Sequence, residues 1–119
     1  MPTRVWKGGG KMRVKDIAGG GIKTLTENIG IENEVSSVYC CDLLSLVMGR
    51  APSKCAWFTV MANVNIVAVA QLAGISCIVI AEGIKPDEIT LQKACENEIP
   101  IFATDLPVFE AALQINNLL

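Results

Sequence analysis

Cys77-Ile78-Val79-Ile80-Ala81 is an unbroken apolar run, and helix-like segments stand on both sides of it. A strand with one wet face alternates apolar and polar residues. One that does not alternate is covered by protein on both faces, which is the habit of parallel sheets. Val35 to Cys41, Lys54 to Met61 and Pro100 to Thr104 also read as strands, rich in β-branched, aromatic and small apolar residues. The intervening segments carry helix signals. Asp42 caps Leu43 to Met48, which stops at Gly49, and Asn63 opens a helix to about Ala73, with Gly74 as its stop. Pro86 takes the first position of a third helix, with Asp87 and Glu88 near the positive end of its dipole. There Leu91, Ala94 and Cys95 fall on an inward face, and Gln92, Lys93 and Glu96 face water. Asp105 caps the last helix, which tolerates Pro107 in its first turn and runs to about Asn116. Strand and helix alternate four times, and right-handed crossovers place helices on both sides of the sheet. The expected fold is an α/β three-layer sandwich with a mainly parallel sheet.

The chain has 119 residues, enough for one domain and not two. Residues 1–11 read as a disordered leader or tag remnant, since Gly8-Gly9-Gly10 offers no side chain to pack. The single domain is residues 12–119. Lys15 to Ala18 makes one helical turn ended by Gly19-Gly20-Gly21, and Ile22 to Thr26 a short strand. At 51% hydrophobic and 18% charged residues, the chain is no solvated, disordered segment. So little polar surface points to a buried self-association face, with a homodimer favoured.

A net charge of −2 argues against nucleic acid, which calls for a basic stripe. Arg4, Lys7, Lys11, Arg13 and Lys15 form only a diffuse patch. From Val64 to Ala81 no residue is charged, close to the ~18-residue minimum for a membrane span. Gln71, Gly74 and Ser76 interrupt that stretch, and a buried helix, a turn and a buried strand explain it without a membrane. The five cysteines, Cys40, Cys41, Cys55, Cys77 and Cys95, include no CxxC pair. With no secretory signal in view, they suit the reducing cytoplasm.

Chemistry is sparse. The chain has no histidine, the commonest general base and zinc ligand. It has no G-x-x-x-x-G-K-[ST] and no G-x-G-x-x-G, and Gly10-Lys11 is followed by Met12. No metal or cofactor is expected. Cys40 and Cys41 are adjacent, so on a strand they face opposite ways and cannot share one metal. Cys41 stands before a helix start, where a thiolate is stabilised.

In open parallel sheets ligands bind beyond the carboxyl ends of the strands. The residues just past those ends are Asp42, Asn63 with Asn65, Glu82 with Gly83, and Thr104 with Asp105. Asp42, Asn63 and Asp105 can equally be plain N-caps. Asn65, free in the first helical turn, would flank exposed N–H groups that suit a phosphate or carboxylate. Glu82 could simply be solvated.

Two central runs resemble a known family. Val38-Tyr39-Cys40-Cys41-Asp42-Leu43-Leu44-Ser45-Leu46-Val47-Met48-Gly49-Arg50-Ala51 resembles the "GDLLSxVMGRA" segment of small stand-alone DRTGG-domain proteins. Thr59-Val60-Met61-Ala62-Asn63-Val64-Asn65-Ile66-Val67-Ala68-Val69-Ala70 resembles their "TVxxNxNxxAVA" segment. Ala81-Glu82-Gly83, Ala103-Thr104-Asp105 and Met12 to Ala18 are similar to other parts of the pattern. A literal Asp-Arg-Thr-Gly-Gly string is absent, and Cys41 stands where the family has glycine. The resemblance implies a fold similar to the N-terminal domain of HPr kinase/phosphorylase, of the Mur ligase N-terminal type. Such domains accompany regulatory or catalytic partners. With no catalytic constellation in view, the expected function is a non-catalytic regulatory or sensory module that binds a small anionic or nucleotide-like ligand, or a partner protein such as an enzyme, at the strand-end crevice. Asn65, Asn63, Asp42, Glu82 and Asp105 would form the site. The alternatives are a ligand-free homo-oligomeric scaffold, or a small enzyme using Asp42 or Cys41, for which no base–nucleophile pair is visible.

Overall fold

A computed structural model describes residues 12–119. The expected leader, and Arg4, Lys7 and Lys11 of the basic patch, lie outside the described residues. The elements in order are a 3-10 turn (Val14–Asp16), β1 (Ile22–Thr24), β2 (Ser37–Cys40), α1 (Leu44–Arg50), β3 (Cys55–Thr59), α2 (Asn65–Ala73), β4 (Cys77–Ile80), α3 (Glu88–Glu96), β5 (Ile101–Thr104) and α4 (Val108–Asn116).

One five-stranded sheet runs β1-β5-β4-β3-β2, in which β2 to β5 are parallel and β1 joins β5 antiparallel. All residues of β3, β4 and β5 are buried, as non-alternating runs require. Their side chains still alternate between two cores. Trp57, Ile78 and Ile101 pair along one rung and join Val47, Ile66, Ala70 and Ala94 beneath α1, α2 and α3. Phe58, Val79 and Phe102 pair along the next rung and join Val14, Ile17, Ile22, Ala111 and Ile115 beneath α4 and the N-terminal segment. The fold is thus a sandwich with a mostly parallel central sheet, as expected. Its outer layers are unequal, because β2 through β5 step in one direction and right-handed crossovers then put α1, α2 and α3 on the same face.

Local chemistry moves several expected boundaries. Gly49 lies inside α1, which ends at Arg50. Pro86 precedes the third helix instead of opening it, since the Asp87 carboxylate accepts the Thr90 N–H at 2.8 Å and makes Asp87 the N-cap. Cys95 is exposed, so Ala94 and Thr90, both buried, with the half-buried Leu91 carry the inward face of α3. Gly19-Gly20-Gly21 does not end a helix. Gly19 and Ile22 exchange both backbone hydrogen bonds, at 2.9 and 3.1 Å, around Gly20 (φ 61°) and Gly21 (φ 94°). Those angles are those of a type I′ hairpin turn, which glycine takes at little cost. Gly74 does stop α2: at φ 70° it donates to Gln71 O, and Ile75 donates back to Ala70 O at 3.0 Å.

Candidate functional site

The C-terminal edge of the parallel strands carries all five expected site residues. Asp42 follows β2 but caps no helix, because the residue at the N-cap of α1 is Leu43. Its Oδ1 accepts the Thr59 hydroxyl at 2.7 Å and the Val60 N–H at 2.9 Å. Buried Thr59 in turn accepts the Met61 N–H at 3.1 Å. The Trp57 indole donates to Cys41 O at 2.8 Å beside them. Asp42 therefore ties the end of β2 to the end of β3 and fixes how the next loop leaves the sheet.

That loop opens α2 through Asn63, whose side-chain carbonyl accepts the Asn65 N–H at 3.0 Å. This is an Asx turn just ahead of the helix; the N-cap position of α2 is held by Val64, so the expected Asn63 cap is displaced by one residue. Asn65 is the first residue of α2, exposed, with only its backbone N–H engaged by Asn63. Thr90 on α3 donates to Ala62 O at 3.4 Å and holds the loop from the other side.

Glu82 is not a merely solvated turn residue. It leaves β4 at φ 63° and is followed by Gly83 at φ 74°. Two consecutive left-handed residues reverse the chain sharply, and at Glu82 that conformation is strained. Its backbone N–H donates to Leu106 O and its carboxylate accepts the Val108 N–H at 3.0 Å. Glu82, from another strand end, thus caps α4. The expected cap, Asp105, stays exposed, and Pro107 is the N-cap residue. Asp105 Oδ1 lies 3.3 Å from where a Cβ on Gly83 would stand, so the two strand ends close on each other.

The five residues form two corners. Asp42, Asn63 and Asn65 belong to the β2–β3 ends, and Glu82 and Asp105 to the β4–β5 ends. The second corner borders a cavity. From β4 the chain crosses to α3 on the three-helix face, and from β5 it crosses to α4 on the other. Where neighbouring connections part in this way, a crevice opens at the strand ends. It has about 170 Å3 and is lined by Gly21, Lys23, Leu25, Gly83, Ile84, Lys85, Ala103, Thr104 and Asp105. Lys23, Leu25, Lys85 and the Gly19–Gly21 turn were not legible as site residues. Nothing in the sequence says that β1 docks on β5, and Lys85 before Pro86 carries no motif.

The thiols lie elsewhere. Burial pushes Cys55 up to about 11 and raises Cys77 still further. Partial desolvation, and then the Asp42 carboxylate, push the exposed Cys40 up. Cys41 is half-buried and its thiol donates to Leu43 O at 3.7 Å. Among the described residues no group of three or more histidine, cysteine or carboxylate side chains could hold a metal ion. No helix among them is long and apolar enough to cross a membrane.

No family profile matches the chain, and no curated protein matches it. Among solved structures it is similar to the CBS and DRTGG domains of the regulatory region of Clostridium perfringens pyrophosphatase, complexed with the activator diadenosine tetraphosphate. The TM-score is 0.64 at 17% identity, over 82% of this chain and 43% of that one. The chain thus spans less than half the length of that structure. At this identity the likeness is one of fold, and the sheet with its four helices is a DRTGG-like domain fold.

Proposed function

We propose that this chain is a non-catalytic regulatory module that binds a small anionic or nucleotide-like ligand at the C-terminal edge of its sheet. The observation that carries the reading is the crevice between the β4 and β5 ends. Support comes from the similar fold in a pyrophosphatase regulatory region complexed with a nucleotide activator. In this reading Asp105 and Asn65 meet the ligand. Asp42, Asn63 and Glu82 hold the loops that present them, since each already accepts a backbone N–H. The kinship with the N-terminal domain of HPr kinase/phosphorylase rests on the sequence segments, and the reducing cytoplasm on the unpaired thiols.

A thermal-shift screen of nucleotides and phosphorylated metabolites tests the reading. A ligand at a hundred times its Kd adds about 2.7 kcal/mol to folding stability, which moves the melting temperature by several degrees. At least one ligand should give such a rise, reduced in Asn65→Ala. No shift with any compound sinks the ligand reading.

A second reading, self-association, is favoured by one surface. Val64, Ala68 and Leu72 recur at helical spacing on the outer side of α2, and all three are exposed. Leu43, Leu46 and Met48 are exposed on and beside α1, which packs against α2. The two readings are compatible, because this surface lies away from the β4–β5 crevice.

A further inference from the structure

Five lysines lie among the described residues. Lys15 pairs with Glu32, Lys54 with Glu34 and Lys93 with Glu96, at 3.1, 3.1 and 3.6 Å. The other two, Lys23 and Lys85, have no carboxylate partner among the described residues. They are far apart in sequence, on β1 and between β4 and α3, yet both line the same crevice. Asp105 is the only carboxylate in its wall, and Leu25, Ile84 and Ala103 supply apolar surface. Two lysines without a carboxylate partner in one concave wall suit a dianion. A lone carboxylate beside them opposes a bare anion and favours one that also brings a hydrogen-bond donor.

Size narrows the choice. A volume of 170 Å3 is below the ~300–1,000 Å3 of clefts that enclose a drug-sized ligand. The crevice therefore takes one end of a ligand, a phosphate and a few adjoining atoms. Lys23, Leu25 and Ala103 share the three-helix face of β1 and β5, so the apolar floor and one cation come from the same surface.

We infer that the β1–β5 crevice binds the phosphomonoester end of a sugar phosphate, with Lys23 and Lys85 on the phosphate and Asp105 accepting from a sugar hydroxyl. This rests on the ligand-module reading above and deepens it. The shared chemistry is a phosphorylated sugar, from either a free sugar phosphate or a nucleotide. No bond is made or broken.

Isothermal titration of the full chain with ribose 5-phosphate, ribose, inorganic phosphate and adenosine 5′-monophosphate tests it. Ribose 5-phosphate should bind and ribose should not. Lys23→Gln and Lys85→Gln should each weaken it about tenfold, whereas Lys93→Gln, at a paired lysine, should leave it unchanged. Asp105→Ala should weaken ribose 5-phosphate but strengthen inorganic phosphate, opposite signs that misfolding cannot give. Tighter binding of adenosine 5′-monophosphate than of ribose 5-phosphate assigns the site to nucleotides; equal or weaker binding assigns it to free sugar phosphates. Lys23, Lys85 and Asp105 are exposed, so circular dichroism of the variants should match the parent. Absence of ribose 5-phosphate binding, or binding untouched by both lysine variants, overturns the inference. If that happens while the thermal-shift screen still yields a ligand, the module survives and its site lies elsewhere.

Discussion

Glu82 combines a backbone cost with a side-chain gain. Its left-handed conformation costs roughly 1–2 kcal/mol in a residue with a Cβ. Its carboxylate satisfies the Val108 N–H at the start of α4, and a cap of that kind contributes about 1 kcal/mol. Glu82→Ala keeps the strain and loses the cap, so urea denaturation should show a loss of about 1 kcal/mol. Glu82→Gly loses the same cap but relieves the strain, and should be more stable than Glu82→Ala. Equal stabilities would mean that the conformation carries no strain. Asp42 is a comparable tie, with two hydrogen bonds from the β3 end. Thiol chemistry separates by burial at the same scale. A disulfide reagent near pH 8 should modify Cys40 and Cys95 in the native protein, Cys41 more slowly, and Cys55 and Cys77 only after denaturation. The folded-state value of Cys55, about 11, lies above its ordinary value near 9. The stability it contributes is therefore complete below pH 9 and declines as pH rises from there through about 11. Burial of Cys77 acts in the same direction.

At the scale of elements, the two helix ends on the three-helix face make a natural comparison. α2 closes at Gly74, and α3 closes with the same pair of bonds: Glu98 N–H to Cys95 O at 3.2 Å and Ile99 N–H to Ala94 O at 2.8 Å. Here, however, the left-handed position is held by Glu98 at φ 57°. Glu98→Gly should stabilise the protein by about 1 kcal/mol, measured by the urea midpoint at unchanged slope. A loss of stability would mean that the Glu98 side chain makes a contribution larger than the strain it brings. The elements also show where sequence reasoning works. Cys77–Ile80 announces its double burial through composition alone, and Gly74 announces the end of α2. The caps are harder to read. Asp42 and Asp105 have the right residue type in the right place, yet Asp42 bonds across to β3 and α4 is capped by Glu82 from another strand. A short polar side chain after a strand can turn toward its own helix or toward a neighbouring loop. That choice depends on which strand lies next door, and no local pattern encodes it.

At the scale of the whole molecule, the order of strands decides where a ligand can sit. A parallel sheet was legible, but not that β2 through β5 march in one direction and leave a single parting of connections, between β4 and β5. Nor could the sequence place β1 against β5, which brings Lys23 to the crevice. Asn65 was legible as a free amide, while no local pattern singles out Lys23 or Lys85. The exposed apolar surface of α1 and α2 belongs to this scale too. If it joins two copies, Leu72→Glu should shift the chain from dimer to monomer in sedimentation experiments at micromolar concentration without lowering its helix content. A parent protein that is already monomeric there contradicts self-association.

Ligand binding belongs, in the proposed function, to the C-terminal edge of the sheet. Amide chemical-shift mapping of the isotope-labelled protein, with the strongest ligand from the thermal-shift screen, tests it most directly. Perturbations should concentrate at Gly21, Gly83 to Lys85 and Thr104 to Asp105, and extend toward Asn65. Perturbations concentrated at the opposite edge, around Ser36, Lys54, Ser76 and Ile99, or on the outer surface of α1 and α2, would contradict it.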